Sequence, residues 1–152
     1  MNIRPAIPND VQSMTTCVNA AYAHYIERIG RPPGPMLDDY AEMIRNHTAL
    51  VAEIESQLAG LLILIEYPGR FLLDNVAVHP DFQGRGVGKQ LLIKAEQIAH
   101  QRGFAEIQLY THEKMVENVE IYGRFGYTEF DRRIEKGFSR IYMKKVLVKQ
   151  AD

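Results

Sequence analysis

A glycine-rich hexapeptide, at the point where an apolar strand-like run gives way to a helix-like run, constrains this chain most. It reads Gln-Gly-Arg-Gly-Val-Gly over residues 83–88, between the runs 71–78 and 87–102. Glycine lets a ligand approach the backbone closely, and the first amides of a helix are unpaired donors at the positive end of its dipole. Arg85 adds a fork of donors suited to phosphate oxygens. The hexapeptide alone is compatible with a phosphate-binding turn and with an ordinary glycine-rich turn.

The spacing of these glycines argues against two common nucleotide-binding motifs. A Walker A loop requires Lys followed by Ser or Thr, whereas Lys89 is followed by Gln90. A dinucleotide fingerprint requires Gly-x-Gly-x-x-Gly early in a βαβ unit, whereas here Gly-x-Gly-x-Gly lies in the second half of the chain. The motif therefore disfavours magnesium-nucleotide chemistry and a standard dinucleotide fold.

Length and composition exclude several other classes of protein. The chain has 152 residues, which suits one domain over 1–152, and its formal net charge of -1 provides no basic field for nucleic acid. The longest strongly apolar run, residues 58–65, is too short to span a bilayer, and the first ten residues hold no apolar signal core. A single cysteine, Cys17, excludes an internal disulfide and predicts a reducing compartment, the cytoplasm.

Hydrophobic periodicity and turn signals predict the element order β-α-α-β-β-β-α-β-α-β-β. Strands are expected at residues 2–5, 48–54, 58–66, 71–78, 105–110, 127–134 and 139–148. Helices are expected at residues 10–28, 38–45 and 87–102, and a fourth is marked by Met115, Val119, Tyr122 and Phe125. This order predicts an α/β fold, α+β in some schemes, with a mixed sheet of about seven strands and helices on both faces.

A second motif lies on the helix that follows the strand 105–110. Asn118 and Tyr122 are four residues apart and therefore share one helical face. The helix continues as Gly-Arg-Phe-Gly-Tyr over residues 123–127.

The two motifs together carry a resemblance to a known family. The segment 73–88 resembles the acyl-CoA-binding motif of the GNAT superfamily of N-acetyltransferases, Gln/Arg-x-x-Gly-x-Gly/Ala, which Gln83, Gly86 and Gly88 satisfy. Residues 118–127 are similar to the second motif of that family, and the order of elements also matches. The resemblance covers nearly the whole chain and implies a GNAT-like, mostly antiparallel sheet.

The resemblance implies acetyl-CoA as co-substrate and no metal. In the family, a splay between the fourth and fifth strands admits the pantetheine arm, and the amides of the glycine turn hold the pyrophosphate. For Lys89, a solvated position at the start of the helix is the competing interpretation. The implied cofactor-binding residues are Val76, Val78, Gln83, Gly84, Arg85, Gly86, Val87, Gly88, Lys89 and Asn118.

The implied reaction transfers an acetyl group from acetyl-CoA to a primary amine of a small molecule or peptide, by direct attack in a ternary complex. A backbone amide near Val76 or Val78 is the candidate for stabilising the oxyanion. The leaving thiolate must gain a proton, and a tyrosine hydroxyl, with a pKa of about 10, stays protonated at neutral pH. Tyr122 stands where the family places this acid, although its place on an apolar stripe also fits core packing.

The base that takes the proton of the amine is the open part of this interpretation. Some family members use a glutamate on the fourth strand, and that position is Leu72 here. Asp74, one step along the same face, is the candidate, with Glu66 as an alternative. For either carboxylate, a surface or turn position is the competing interpretation.

The acceptor side is expected to include the proline-rich segment 31–35 and the first two helices, by analogy with the family. Candidate substrate-binding residues are therefore Tyr25, Arg31 and Tyr110. The histidines show no metal-ligand spacing. We expect no nucleic-acid or membrane partner, and a homodimer is a further expectation because dimers are common among similar proteins.

Two other functions compete with catalysis. A non-catalytic acyl-CoA-binding sensor would keep the glycine turn and lack a working base, which is consistent with Leu72 at the glutamate position. A nucleotide-binding regulatory domain would bind NAD or ATP in preference to coenzyme A.

Overall fold

A seven-stranded sheet runs through the protein in the order β1-β2-β3-β4-β5-β7-β6. The computed structural model describes residues 1–147, so Val148, the predicted end of the last strand, lies outside the described residues. The strands are β1 (Asn2–Pro5), β2 (Thr48–Ile54), β3 (Gln57–Tyr67), β4 (Arg70–Val78), β5 (Glu106–His112), β6 (Thr128–Glu135) and β7 (Phe138–Val146). Every neighbouring pair is antiparallel except β4 and β5, which confirms the predicted mostly antiparallel mixed sheet.

Helices cover both faces of this sheet, as predicted. They are α1 (Val11–Tyr22), α2 (Tyr25–Ile29), α3 (Tyr40–Asn46), α4 (Val87–Gln101) and α5 (Val116–Arg124). The apolar residues of α1, α2 and α3 form one core with the sheet, and those of α4 and α5 form a second core on the other face. Among residues 1–147, no helix is both long and apolar enough to cross a bilayer.

The first predicted helix, residues 10–28, is two helices in the structure. Ala23 and His24 keep helical dihedral angles, but the Ile26 amide donates to the Ala23 carbonyl, three residues back, at 3.1 Å. The backbone forms a tighter, 3₁₀-type turn at this point. Tyr22 and Tyr25, on either side of this turn, are both buried. Periodicity alone does not reveal such a break, because the apolar stripe continues through it.

Helix α3 begins at Tyr40, two residues later than the start at residue 38 that the sequence predicted. Its N-cap is Asp39, whose carboxylate accepts hydrogen bonds from the amides of Ala41 and Glu42. Asp38 therefore stays outside the helix with extended dihedral angles, φ -76° and ψ 147°. Its side chain therefore does not cap the helix and instead lines a cavity next to β4.

The sheet opens at its only parallel pair within the described residues. β4 and β5 pair solely through Leu72 with Gln108 and Leu73 with Leu109. Beyond these two pairs β4 runs on to Val78 without pairing to β5, so the two strands diverge. The splay expected between the fourth and fifth strands is therefore present.

A β-bulge in β4 lies at the start of this opening. Leu73 pairs with Leu64 of β3 and Asn75 pairs with Ile63, so Asp74 is the extra residue without a partner. The bulge reverses which face each side chain occupies: Leu73 packs with the α4 core, whereas Ala77 packs with the α1 core. Asp74 is thus presented at the end of the paired region.

Candidate active site

Two cavities meet where β4 and β5 diverge. The outer cleft, of about 680 Å³, is bounded by the glycine turn, the end of β4, α1 and α5. The inner cavity, of about 220 Å³, is bounded by the β4 bulge, β5, the β6–β7 hairpin and the segment 33–38. Tyr22, Asn118 and Tyr122 line both. A ligand that fills the outer cleft therefore reaches the inner cavity beside these three side chains.

The glycine turn at the outer cleft has the conformation that its sequence requires. Gly84 and Gly86 adopt left-handed φ values of +81° and +79°, and Gly86 is the N-cap of α4. The Gln90 amide is the first to donate back into the helix, to the Gly86 carbonyl at 3.0 Å. By helix geometry the preceding amides, those of Val87, Gly88 and Lys89, are left without an intrahelical partner. They form a donor set for an anion.

Most of the predicted cofactor-binding residues are brought together at this cleft. Its lining includes Val76, Val78, Gln83, Gly84, Gly86, Val87, Gly88, Lys89 and Asn118. Arg85 is the exception, because its guanidinium lies over the Phe82 ring, 5.4 Å from the centroid, and it does not line the cleft.

The backbone of β4 faces the opening at alternate residues. The His79 amide donates to the Ala59 carbonyl of β3 at 2.8 Å, so residues 75, 77 and 79 direct their polar groups to β3. The amides and carbonyls of Val76 and Val78 point the other way, into the gap left by β5. The Val76 carbonyl there accepts a hydrogen bond from the Tyr22 hydroxyl at 3.0 Å.

A buried polar network fixes this part of β4. Asn75 is 3% exposed, and its amide donates to the Tyr40 hydroxyl at 2.9 Å. The Tyr40 hydroxyl donates to the Pro35 carbonyl at 2.6 Å, and the Tyr22 hydroxyl lies 3.0 Å from the side-chain amide oxygen (Oδ1) of Asn75. The network ties α1, α3 and the proline-rich segment to the strand that borders both cavities.

The position of Tyr122 is compatible with both of the roles considered for it in the sequence. Its ring is 6% exposed and meets the Tyr127 ring edge to face, with centroids 5.9 Å apart, so it is part of the core. Yet the residue lines both cavities, whereas the Tyr127 hydroxyl is sealed and without a partner among the described residues. Burial raises the pKa of the Tyr122 hydroxyl, which keeps it protonated at neutral pH.

Two carboxylates face each other in the inner cavity. Burial and, next, the negative charge of Asp38 raise the pKa of Asp74 to about 6, although the Tyr110 hydroxyl and Arg140 oppose the shift. Burial likewise raises the pKa of Asp38, with help from Glu42. Asp38 was not among the residues singled out in the sequence, where it was assigned to the helix 38–45.

Cationic and aromatic side chains form another wall of the inner cavity. They come from β5 and the β6–β7 hairpin: Tyr110, His112, Lys136, Phe138 and Arg140. The Arg140 guanidinium lies over the Tyr110 ring, 4.3 Å from its centroid. Burial lowers the pKa of His112, so its ring is neutral at pH 7.

The predicted substrate-binding residues are separated in the structure. Tyr110 lines the inner cavity. Tyr25 lies on the outer cleft instead, where its hydroxyl donates to Glu117 Oε2 at 3.1 Å. Arg31 lines neither cavity, because it stacks 3.6 Å from the Phe138 centroid and donates to the Lys136 carbonyl at 2.6 Å. Tyr25 and Arg31 therefore do not line the inner cavity with Tyr110.

Leu72, which stands at the family's glutamate position, and the alternative base Glu66 both lie outside the two cavities. Leu72 is 3% exposed within the α1 core. Glu66 lies at the far end of β3 and pairs with Arg102 at 3.7 Å, outside both cavities. Among residues 1–147, no group of three or more His, Cys, Asp and Glu side chains is arranged to hold a metal ion.

Comparison with known families agrees with this geometry. Residues 16–127 match the model of the Acetyltransferase (GNAT) family. The match covers more than half of the chain, so the protein belongs to this family.

Individual relatives are more distant. The chain is 33% identical over 69 residues to the uncharacterized N-acetyltransferase MJ1207 of Methanocaldococcus jannaschii, a match of 45% of this chain and 30% of that protein. It is 28% identical over 97 residues to the uncharacterized N-acetyltransferase YvbK of Bacillus subtilis, covering 63% of this chain and 61% of that one. The matched segments thus span less than two thirds of either relative.

A solved structure shows the same fold over nearly the full length. The PaiA N-acetyltransferase of Thermoplasma acidophilum, solved in complex with coenzyme A, superposes with a TM-score of 0.78. The two sequences are 19% identical, and the match covers 95% of this chain and 98% of that one.

Proposed function

We propose that this protein is an N-acetyltransferase that moves the acetyl group of acetyl-CoA to a primary amine of a small molecule or peptide, by direct attack in a ternary complex. One observation carries the proposal: two cavities, one with anion-binding amides and one with carboxylates, share the side chains of Tyr22, Asn118 and Tyr122. Donor and acceptor can therefore meet at one point without leaving their own sites.

The outer cleft fits coenzyme A. The amides of Val87, Gly88 and Lys89 would hold the diphosphate, because they are free donors at the positive end of α4. The backbone groups of Val76 and Val78 would pair with the amides of the pantetheine arm, with Asn118 beside them on α5. The complex of the PaiA relative with coenzyme A supports this assignment.

When bound, acetyl-CoA supplies a thioester: a bond forms from the amine nitrogen to the carbonyl carbon, the C–S bond breaks, and the amine loses a proton while the thiol gains one. Tyr122 donates the proton to the sulfur, since its hydroxyl is protonated throughout the neutral range. The amide of Val76 or Val78, which faces the opening, donates a hydrogen bond to the carbonyl oxygen as negative charge develops there.

Asp74 accepts the proton of the amine. With its pKa raised to about 6, it is mostly ionised at pH 7 and still basic enough to take a proton in the transition state. Its position at the bulge, next to the opening, supplies the base that Leu72 cannot. This carboxylate favours an enzyme over a non-catalytic sensor.

Calorimetry with acetyl-CoA and a thiol-release assay with a broad panel of primary amines test the proposal together. We expect saturable binding of acetyl-CoA, no comparable binding of NAD or ATP, and thiol release that depends on the amine. Binding without release on any amine would favour the sensor, and preferential binding of NAD or ATP would favour the nucleotide-binding domain. The cytoplasmic location and the homodimer stay predictions.

A further inference from the structure

The inner cavity is small and closely walled. Its volume of about 220 Å³ lies below the roughly 300–1,000 Å³ of pockets that bind drug-sized ligands. An acceptor that enters this cavity as a whole is therefore a small molecule. Its charges must then match those of the walls, since little water remains to screen them.

One wall of the inner cavity is short of positive charge. Asp74 and Asp38 raise each other's energy when both are ionised, and neither has an ion-pair partner within 4.0 Å among the described residues. Both side chains project from backbone that is not regular structure, one from the β4 bulge and one from the turn before α3. A primary ammonium group between them would relieve the repulsion and would stand next to the proposed base.

Another wall of the inner cavity is short of negative charge. Arg140 and Lys136 both line the cavity, and the positive charge of each acts on Asp38. Within the part of the chain that is described, neither residue forms an ion pair. The Arg140 guanidinium is held instead by the faces of aromatic rings, 4.3 Å from the Tyr110 centroid and 5.8 Å from that of Phe138. Its donors are left for a ligand, and the planar fork suits a carboxylate.

The two walls are joined by a single aromatic side chain. The Tyr110 hydroxyl contacts the Asp74 carboxylate, and the Tyr110 ring face carries Arg140. A ligand that lies along the Tyr110 ring would therefore need a positive group at the Asp74 end and a negative group at the Arg140 end. A diamine would meet Arg140 and Lys136 with like charge, and a simple alkyl amine would leave both cations without a partner.

We propose that the acceptor is a small amino carboxylate, with its amine between Asp74 and Asp38 and its carboxylate on Arg140 and Lys136. This inference rests on the proposed acetyl transfer and specifies its substrate class. Arg140 and Lys136 thus determine specificity, whereas Asp74 takes part in the chemistry.

A thiol-release assay tests the proposal with matched pairs of acceptors. Each pair consists of an α- or ω-amino acid and its carboxamide, which keeps the amine and removes the negative charge, and simple alkyl amines and diamines complete the panel. For the best amino acid we expect kcat/KM to exceed that of its carboxamide by at least about tenfold, the factor that about 1.4 kcal/mol of binding provides. The difference should lie mainly in KM.

Variants assign this preference to the cationic wall. In Arg140→Gln, and separately in Lys136→Gln, the ratio of kcat/KM for acid over amide should fall towards one. The matched control is Arg132→Gln, on the same hairpin but outside the inner cavity, where Arg132 pairs with Glu129 and Glu113. It should keep the ratio of the wild type.

The outcomes separate this inference from the proposed function. Equal kcat/KM for acid and amide in the wild type overturns the amino carboxylate and leaves acetyl transfer standing. A preference for the acid that persists in both Arg140→Gln and Lys136→Gln also overturns the assignment. Thiol release with no member of the panel overturns the inference together with the function on which it rests.

Discussion

Asp74 illustrates how far a single residue can be interpreted before its surroundings are known. The sequence offers it as a carboxylate one step from the expected glutamate position. The structure adds the burial and the neighbouring charge of Asp38, which together move its pKa to about 6. Both causes depend on tertiary structure, because Asp38 is 36 positions away in the chain and is brought near Asp74 only by the fold.

The pH dependence of turnover is predicted to report this carboxyl. Because Asp74 is the proposed base, kcat/KM should rise with pH and level off above its pKa of about 6. In Asp38→Asn the loss of a negative charge lowers the pKa of Asp74, so the midpoint of this limb should move to lower pH. Glu42 still raises the pKa and Arg140 still lowers it in this variant.

Steady-state assays between about pH 4.5 and 8 measure this midpoint. The control is Asp81→Asn, whose side chain is 81% exposed and lies outside the inner cavity. It should leave the midpoint in place. An unmoved midpoint in Asp38→Asn would show that the limb belongs to another group.

Tyr122 is predicted to contribute to turnover more than to binding. Tyr122→Phe keeps the ring in the core and removes the hydroxyl that both cavities share, so kcat should fall by about 100-fold or more while acetyl-CoA affinity changes little. Tyr127→Phe is the matched control, since it removes a sealed hydroxyl from the ring packed against Tyr122. Stopped assays and calorimetry on both variants make the comparison, and equal kcat values for both would remove Tyr122 from the mechanism.

Among the elements, those specified by local chemistry were the ones that the sequence predicted well. The β2 bounds 48–54 agree with the structure, and the glycine turn begins α4 at Val87 as expected. Features that depend on distant contacts were missed. The bulge at Asp74 is invisible in an apolar run, and the tightening at Ala23 leaves the apolar stripe intact. The stacking of Arg31 on Phe138 was likewise not predicted, because the two residues are 107 positions apart.

The turn before α4 is the element on which the proposed cofactor binding depends, and Gly86→Glu tests this proposal. A Cβ at Gly86 would meet no protein atom within 4 Å, so the expected harm is strain at φ +79° and a negative charge beside the diphosphate. We expect acetyl-CoA affinity to fall by about 100-fold or more. A glutamate in this place would repel the diphosphate and would offset the positive end of the helix dipole that attracts it.

The matched control lies at the other end of the same helix. Gly103 has φ +83° and equally open space, and it lines neither cavity. Gly103→Glu should therefore carry a similar strain and leave affinity intact. Calorimetry measures affinity and urea unfolding measures stability, and equal losses of affinity in both variants would contradict a specific role for the turn.

For the whole molecule, the proposed base implies a conflict between activity and stability. The pKa of Asp74 is higher in the folded protein, about 6, than the ordinary aspartate value of about 3.9 in an unfolded chain. The folded state therefore binds more protons between these values, and it loses stability as the pH rises through this interval. Once the pH is well above the folded pKa of about 6, the cost is complete and stays constant.

Asp74→Asn should accordingly raise the free energy of unfolding at pH 8 by more than at pH 4, while it lowers kcat by about 100-fold or more. Urea unfolding at the two pH values gives the difference, with Asp81→Asn as a control that shows no such dependence. A gain in stability that is the same at both pH values would mean that the pKa of Asp74 is not raised in the folded protein.

The short pairing of β4 with β5 has a mechanical consequence. Seven strands are continuous only through two residue pairs at the centre, so the protein consists of a four-stranded and a three-stranded ribbon joined at one corner. Past that corner each ribbon carries an interior edge, and the carbonyl of Val76 meets a phenol where a neighbouring strand would normally lie. A molecule threaded between the ribbons completes their hydrogen bonding as an extra strand would, and the sheet itself becomes stiffer for as long as that molecule stays.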